Sequence, residues 1–344
     1  MLQARLKHSL PGFSLDLAFE CRPGITVLFG PSGAGKSRIF ELLTGLATPS
    51  GGRIMLDDSI LFDGETRVNL PPQLRRCGLV APLFPHLTVS ENLAFAAHSL
   101  PSRERARRLK ETLDEFELTA AAHRRPAALT GNEPLRAALA RALIRSPRLL
   151  LLDDAARGLA PDHRQELYSI LRSLTGLPLL LATADLEASV EVAASLLLLD
   201  QGRLLQSGPT RQVLDHPASA DAARLLGLHV LLPAEILALD PGRQTSRLRC
   251  LETELNGPYY PGHLLGDRVT LCLLSSALRA LPRSGAPAAN QLPVTLTHFA
   301  ERTQSVLLHF AEGITVEMPR PVFEPLRATR EWLVEFPPAA LHIL

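Results

Sequence analysis

Lysine is nearly absent from this chain: Lys7, Lys36 and Lys110 are the three in 344 residues, and arginine carries the rest of the basic charge. That scarcity fits coding bias, and it makes a lysine inside a glycine-rich stretch, as Lys36 is, hard to dismiss as chance. Cysteine is also sparse, with Cys21, Cys77, Cys250 and Cys272 scattered and no CxxC pair. The spacing argues against a disulfide framework or a zinc site and for reduced, buried thiols in a cytosolic protein. No strong charge excess exists either. The formal net charge is +1, so no global field selects nucleic acid or a membrane surface. The longest apolar runs, 177–184 and 192–199, fall well short of the ~18 residues a spanning helix needs. Residues 1–15 lack the apolar stretch of a secretory leader, so none is expected. Any membrane role is therefore expected to come through a partner.

What is present is an ordinary globular composition, 46% hydrophobic and 21% charged, in a chain long enough for two domains. Residues 1–228 read as alternating strands and helices. An apolar β-rich run at 25–29 ends in glycine and is followed by a helix at 37–45. Runs at 148–152, 177–183 and 195–199 suit strands buried on both faces of a helix-covered sheet. Residues 102–123 read as a helix with a solvated charged face. The basic piece at 103–108 is offset by Glu104, Glu111, Asp114, Glu115 and Glu117, so no nucleic-acid partner is expected.

After about residue 229 the texture changes. Period-2 segments at 268–274, 294–298, 305–310, 315–318 and 331–336 are punctuated by Pro and Gly, with a Pro/Gly/Ala-rich connector at 281–290. The expected fold is α/β over 1–228 with a small all-β domain at 229–344, its core at about 285–344.

Residues 30–37 read Gly30, Pro31, Ser32, Gly33, Ala34, Gly35, Lys36, Ser37, which satisfies GxxxxGK[ST] between a predicted strand and a predicted helix. Such a loop turns successive N–H groups toward phosphate oxygens, and the helix that follows, where Arg38 also falls, adds its N-terminal dipole. Lys36 is positioned to neutralise the β/γ oxygens, and the Ser37 hydroxyl to ligate Mg²⁺. The sequence Leu149, Leu150, Leu151, Leu152, Asp153, Asp154 supplies a buried strand that ends in a carboxylate for the metal, Asp153. The P-loop NTPase reading therefore implies ATP and Mg²⁺. A glycine-rich turn with an incidental lysine is the bland alternative.

These motifs carry a resemblance. LFGPSGAGKS…LTGLATPSGGRIMLDD at 28–58, LPPQLRRCGLV…LFPHLTVSENL at 70–93 and LTGNEPLRAALARALIRSPRLLLLDD at 129–154 are similar to the ATP-binding subunits of ABC transporters, and among them to those of bacterial molybdate importers. SSALRAL at 275–281 and NQLPVTL at 290–296 are similar to the OB-like TOBE/Mop-type β domain such importers carry. The resemblance implies two subunits facing head to tail, with ATP between the phosphate loop of one and the signature loop of the other. It also implies membrane permease partners and a cytoplasmic location, peripheral on the inner face of the plasma membrane.

Several parts that the resemblance leads one to expect are altered. The signature, normally LSGGQ, reads Leu129, Thr130, Gly131, Asn132, Glu133. Thr130 keeps a hydroxyl and Gly131 is retained, but Asn132 adds a side chain where close backbone approach favours glycine, and Glu133 brings a negative charge toward phosphate. The catalytic carboxylate, normally Glu, is Asp154, one methylene shorter. Ala155 replaces the proline after it, and 157–160 lacks the usual acid, Asp162 being out of phase. The switch histidine is Ala184 in Thr183, Ala184, Asp185, and His86 and His163 are not at the matching position. Residues 80–84 run through without the metal-reaching glutamine. At 287–290 the chain reads Pro287, Ala288, Ala289, Asn290 where the oxyanion motif has Ser-x-Arg-Asn, so a packing or dimerisation module without oxyanion sensing is expected. Phe13 is the candidate for stacking on adenine, a core phenylalanine being the alternative.

Losing one positioned acid–base group costs ~10²–10⁴ in rate, and such losses do not add when groups act together. Impaired hydrolysis is expected. Two readings stay open: a transport ATPase subunit for molybdate or a related oxyanion, and a non-hydrolysing scaffold or regulatory subunit in a homo- or heterodimer.

Overall fold

The computed structural model describes residues 1–186, 190–302 and 304–344. Its contacts divide into two compact units, Met1–Thr210 and Arg211–Leu344.

The first unit is built on one eleven-stranded sheet. Its parallel part runs Ser195–Asp200, Gly24–Phe29, Pro178–Thr183, Leu149–Asp153, Cys77–Val80. These strands are near-continuous apolar runs because both of their faces are covered, as parallel sheets require. Leu149, Leu150, Leu151 and Leu152 are all fully buried. The sheet continues through Arg203–Pro209, which pairs in parallel with Phe13–Cys21, and from there an antiparallel wing runs through Leu2–Leu10, Gly51–Leu56, Ser59–Asp63 and Val68–Asn69. In Phe13–Cys21 the inward residues Leu15, Leu17, Phe19 and Cys21 alternate with exposed ones, the period of a strand with one wet face.

The second unit holds two five-stranded antiparallel sheets around a single core. One contains His229–Asp240, Thr245–Cys250, Thr253–Pro258, Arg268–Leu274 and His342–Ile343. The other contains Arg279–Pro282, Gln291–Glu301, Ser305–Phe310, Thr315–Pro319 and Glu331–Glu335. Trp332, Phe323 and Phe336 are buried in that core, which spans Val230 to Leu341 and so extends beyond 285–344. The short helices Thr210–Asp215 and Ala220–Leu226, which the sequence reading places before the 229 boundary, fall almost wholly in this unit. Ala222, Ala223 and Leu226 form the buried side of the second helix.

Candidate functional site

The phosphate loop leaves strand Gly24–Phe29 and enters helix Lys36–Thr44. Two glycines are dictated by space. A Cβ on Gly30 would stand 2.2 Å from Leu199 O, so the loop starts against a neighbouring strand where no side chain fits. Gly35 has φ +106°, a left-handed conformation, and a Cβ there would meet the Phe13 ring at 2.7 Å. Main-chain bonds fix the path: Gly30 N donates to Thr183 O (3.3 Å), Ala34 N to Pro31 O (3.2 Å) and Gly202 N to Ala34 O (3.0 Å).

Lys36 Nζ donates to Gly30 O at 2.7 Å and Pro31 O at 2.9 Å, so the ammonium is held across the loop. Burial lowers its pKa, opposed by Asp154 and then Asp153, which places both carboxylates within electrostatic reach. Asp153 ends its strand opposite Ala182. Asp154 takes φ +51° and donates its N–H to Ala182 O at 2.9 Å. Its carboxylate accepts from Thr183 Oγ1 (3.5 Å) and pairs with Arg157 (3.5 Å), while Thr183 Oγ1 accepts from Asp185 N (3.0 Å). Ser37 is exposed at the start of the helix, and Arg38 pairs with Glu41 at 2.6 Å.

The fold therefore brings the loop at 30–38, Asp153, Asp154 and Thr183 to one place. A curled loop with no room for a Cβ at Gly30 or Gly35, an ammonium across it and a helix N-terminus fits a nucleotide polyphosphate. Ser37 and Asp153 offer the hard oxygen donors that suit Mg²⁺. Among the described residues no group of three or more His, Cys, Asp or Glu is arranged to hold a metal, so such an ion would also need phosphate oxygens and water.

Thr130 and Gly131 stand apart, at the turn into helix Glu133–Leu143. Glu133 accepts from Thr130 N at 2.8 Å and Thr130 Oγ1 at 3.2 Å, and pairs with Arg124. The Thr130 amide chiefly, with Arg124 adding, holds its carboxyl below the usual range. The charge read from sequence as repulsive toward phosphate is thus engaged locally. Asn132 Nδ2 donates to Glu166, which also pairs with Arg136, so this side chain is tied to its own subunit.

Two buried polar residues support the site and carry no motif. Arg75 is 1% exposed, and its guanidinium donates to Leu42 O (2.7 Å), Leu43 O (2.9 Å), Leu70 O (2.8 Å) and Asn69 Oδ1 (2.7 Å). It satisfies carbonyls at the C-terminal end of the phosphate-loop helix and complements that end of the dipole. Asn92, fully buried, accepts from Phe84 N (2.8 Å) and donates to Phe84 O, Leu87 O and Thr88 O. Arg141 Nη2 donates to Ala81 O at 2.7 Å, and its guanidinium lies 5.1 Å above the Phe84 ring. Residues 81–88, which overlap the 80–84 stretch that lacks the glutamine, are thereby pinned by side chains from two helices, Val89–Ala96 and Glu133–Leu143. A polar residue inside an apolar helical stretch, ENLAFA or ALARAL, was the available signal.

In the second unit Asn290 is buried with φ +60°. Its amide accepts from Asn256 N (2.7 Å) and donates to Asn256 O (2.8 Å) and Phe336 O (2.9 Å). All of these bonds serve the main chain, so Asn290 acts as a strand clamp.

With that geometry in hand, the class is defined. A family profile described as ABC transporter matches residues 15–157. The chain belongs to the ABC transporter family of ATP-binding proteins. It is 37% identical over 246 residues to the molybdenum import ATP-binding protein ModC of Rhodospirillum rubrum, covering 70% of this chain and 66% of that one. It is 35% identical over 333 residues to the ModC protein of Granulibacter bethesdensis, covering 90% and 88%. A solved structure described as the ATP-binding subunit of an ABC transporter is 25% identical with a TM-score of 0.52, covering 66% of this chain and 99% of that one.

Proposed function

We propose that this chain is the ATP-binding subunit of an importer for molybdate or a related oxyanion, and that it hydrolyses ATP poorly. The observation that carries the first part is the loop at 30–38, bonded to Thr183 and crossed by the Lys36 ammonium, beside the strand end at Ala182 that Asp153 and Asp154 adjoin. Similarity to import proteins named for molybdenum supports the substrate class. In this reading Gly30, Pro31, Ser32, Gly33, Ala34, Gly35, Lys36, Ser37 and Arg38 cradle the nucleotide phosphates. Ser37 and Asp153 hold Mg²⁺, which neutralises phosphate charge when bound, and Thr130 and Gly131 face the nucleotide of a second subunit. Asp154 is the remaining carboxylate able to take a proton. Its reach is one methylene short, and its oxygens are engaged by Thr183 and Arg157. Ala184 offers no imidazole. The β unit, of TOBE/Mop type, serves packing or dimerisation, since Asn290 is consumed internally.

Among the described residues no helix is long and apolar enough to cross a membrane; in this reading permease subunits hold the chain at the inner face of the membrane. A second reading, a nucleotide-binding scaffold or regulatory subunit without turnover, is favoured by Ala184 together with the pinned segment at 81–88. Complementation separates them. In a strain lacking its own molybdate ATP-binding subunit, molybdate uptake restored by this chain and lost with Lys36→Ala supports transport. Nucleotide binding without restored uptake supports the scaffold.

A further inference from the structure

In the second unit two histidines stand opposite each other on neighbouring strands. His298, on Gln291–Glu301, is the register partner of His309, on Ser305–Phe310, and their rings stack with centroids 4.4 Å apart and 9° between the planes. A bulge makes the pair. Leu296 stands opposite Phe310 and His298 opposite His309, so Thr297 is an extra residue and both imidazoles come to one face of the sheet.

The inserted threonine decides which nitrogen of His298 carries the hydrogen. Thr297 Oγ1 donates to His309 O at 2.7 Å, so toward His298 Nδ1, 3.1 Å away, it can only accept. That puts the ring hydrogen on Nδ1, and in the neutral ring Nε2 keeps its lone pair. His309 Nδ1 makes the corresponding contact to Thr315 Oγ1 at 3.4 Å. An outer oxygen that holds Nδ1 and leaves Nε2 bare is how a histidine is oriented as a metal ligand. Burial chiefly, then His298 and Arg302, lowers the pKa of His309, which favours its uncharged ring at neutral pH. The nearby cation is offset, since Arg302 pairs with Glu317 at 3.3 Å, and Glu317 also accepts from Ser305 Oγ. Aiming both Nε2 atoms at one ion requires the stacked rings to turn toward each other, and χ2 of histidine is a soft torsion. Imidazole pairs suit zinc, nickel and copper, and oxygen ligands suit magnesium.

The geometry points to a site for a divalent transition ion, Zn²⁺, Ni²⁺ or Cu²⁺, held by His298 Nε2 and His309 Nε2 with water in its remaining positions. Such a site is independent of the nucleotide-binding function proposed above.

The test uses the full chain without nucleotide. Zn²⁺, which is redox-silent, is titrated by calorimetry at pH 7.5, with Mg²⁺ as the control, and thermal melting is followed with and without Zn²⁺. The wild type is expected to show saturable Zn²⁺ binding and to melt higher with the ion, because only the folded strands bring the two rings together. His298→Ala and His309→Asn are each expected to weaken that binding roughly tenfold or more and to remove the rise in melting. Thr297→Val, which keeps both ligands and frees the tautomer, is expected to weaken it about tenfold. At pH 5.5 the affinity is expected to fall at least about tenfold as protons compete for the rings. His298 is exposed, so His298→Ala decides even if the half-buried His309 tolerates no substitution. Absence of saturable Zn²⁺ binding, a titration that His298→Ala leaves unmoved, or an equal response to Mg²⁺ would overturn the site.

Discussion

The two walls of the proposed nucleotide site are built by different means. The loop wall, residues 30–38, is made of main chain: positive φ at Gly33 and Gly35, a close strand contact at Gly30, and carbonyls that hold Lys36. The opposite wall, Asp153 to Asp185, depends on what each side chain is. There a carboxylate is one carbon short, an alanine stands where an imidazole is expected, and an arginine engages the remaining acid. A main-chain cradle is kept by glycine and close packing, and it forms whole or not at all. A wall of side chains loses its chemistry one substitution at a time without any change of fold. Binding and firing a nucleotide can therefore part company in one molecule.

The comparison is most easily broken beneath the loop wall. Arg75→Leu removes four hydrogen bonds and leaves buried carbonyls unpaired, so unfolding of the first unit is expected to be easier by about 4 kcal/mol. Chemical denaturation reads this, and a loss under about 1 kcal/mol would mean that the helix end finds other partners. Next, Lys36→Ala is expected to weaken MgATP about 30- to 100-fold with stability nearly unchanged. An unaltered affinity would remove the ammonium from the account. Asn92→Leu strips the anchor from residues 81–88 and is expected to cost about 2 kcal/mol in the same denaturation assay. The other wall is sharpened by Ala184→His. If the missing groups act as a unit, restoring one raises single-turnover hydrolysis by less than about tenfold. A gain of a thousandfold would mean that only the imidazole was wanting.

The smallest effect concerns the second unit. Burial lowers the pKa of both His229 and His342, so the folded state binds fewer protons than the unfolded one below the ordinary histidine value of about 6.5. Stability from these groups is complete above that pH and declines as pH falls through it. The melting transition of this unit is expected a few degrees lower at pH 5.5 than at pH 7.5. A higher transition at pH 5.5 would contradict the assignment.

The loop wall was legible because GPSGAGKS and LLLLDD encode geometry locally, and the strands and helix they imply are found at Gly24–Phe29, Leu149–Asp153 and Lys36–Thr44. The β strands of the second unit were legible in part through their alternation. The antiparallel wing was written as plainly, in Leu15, Leu17, Phe19 and Cys21, but its pairing with Leu2–Leu10 and then Gly51–Leu56 joins segments far apart in the chain. Arg75 and Asn290 were not legible as supports, because most of their partners are main-chain atoms up to 46 residues away that no pattern of residue types reveals, and Asn92 left only the signal of a polar residue in an apolar helix.

The separation of binding from firing is tested most directly on purified protein with MgATP, by calorimetry for affinity and a single-turnover assay for hydrolysis. Saturable binding that depends on Lys36, with turnover at least about a hundredfold slower than the usual enzymatic range of 1 s⁻¹ or more, is the predicted result. Turnover within that range, or no nucleotide binding at all, would contradict the account.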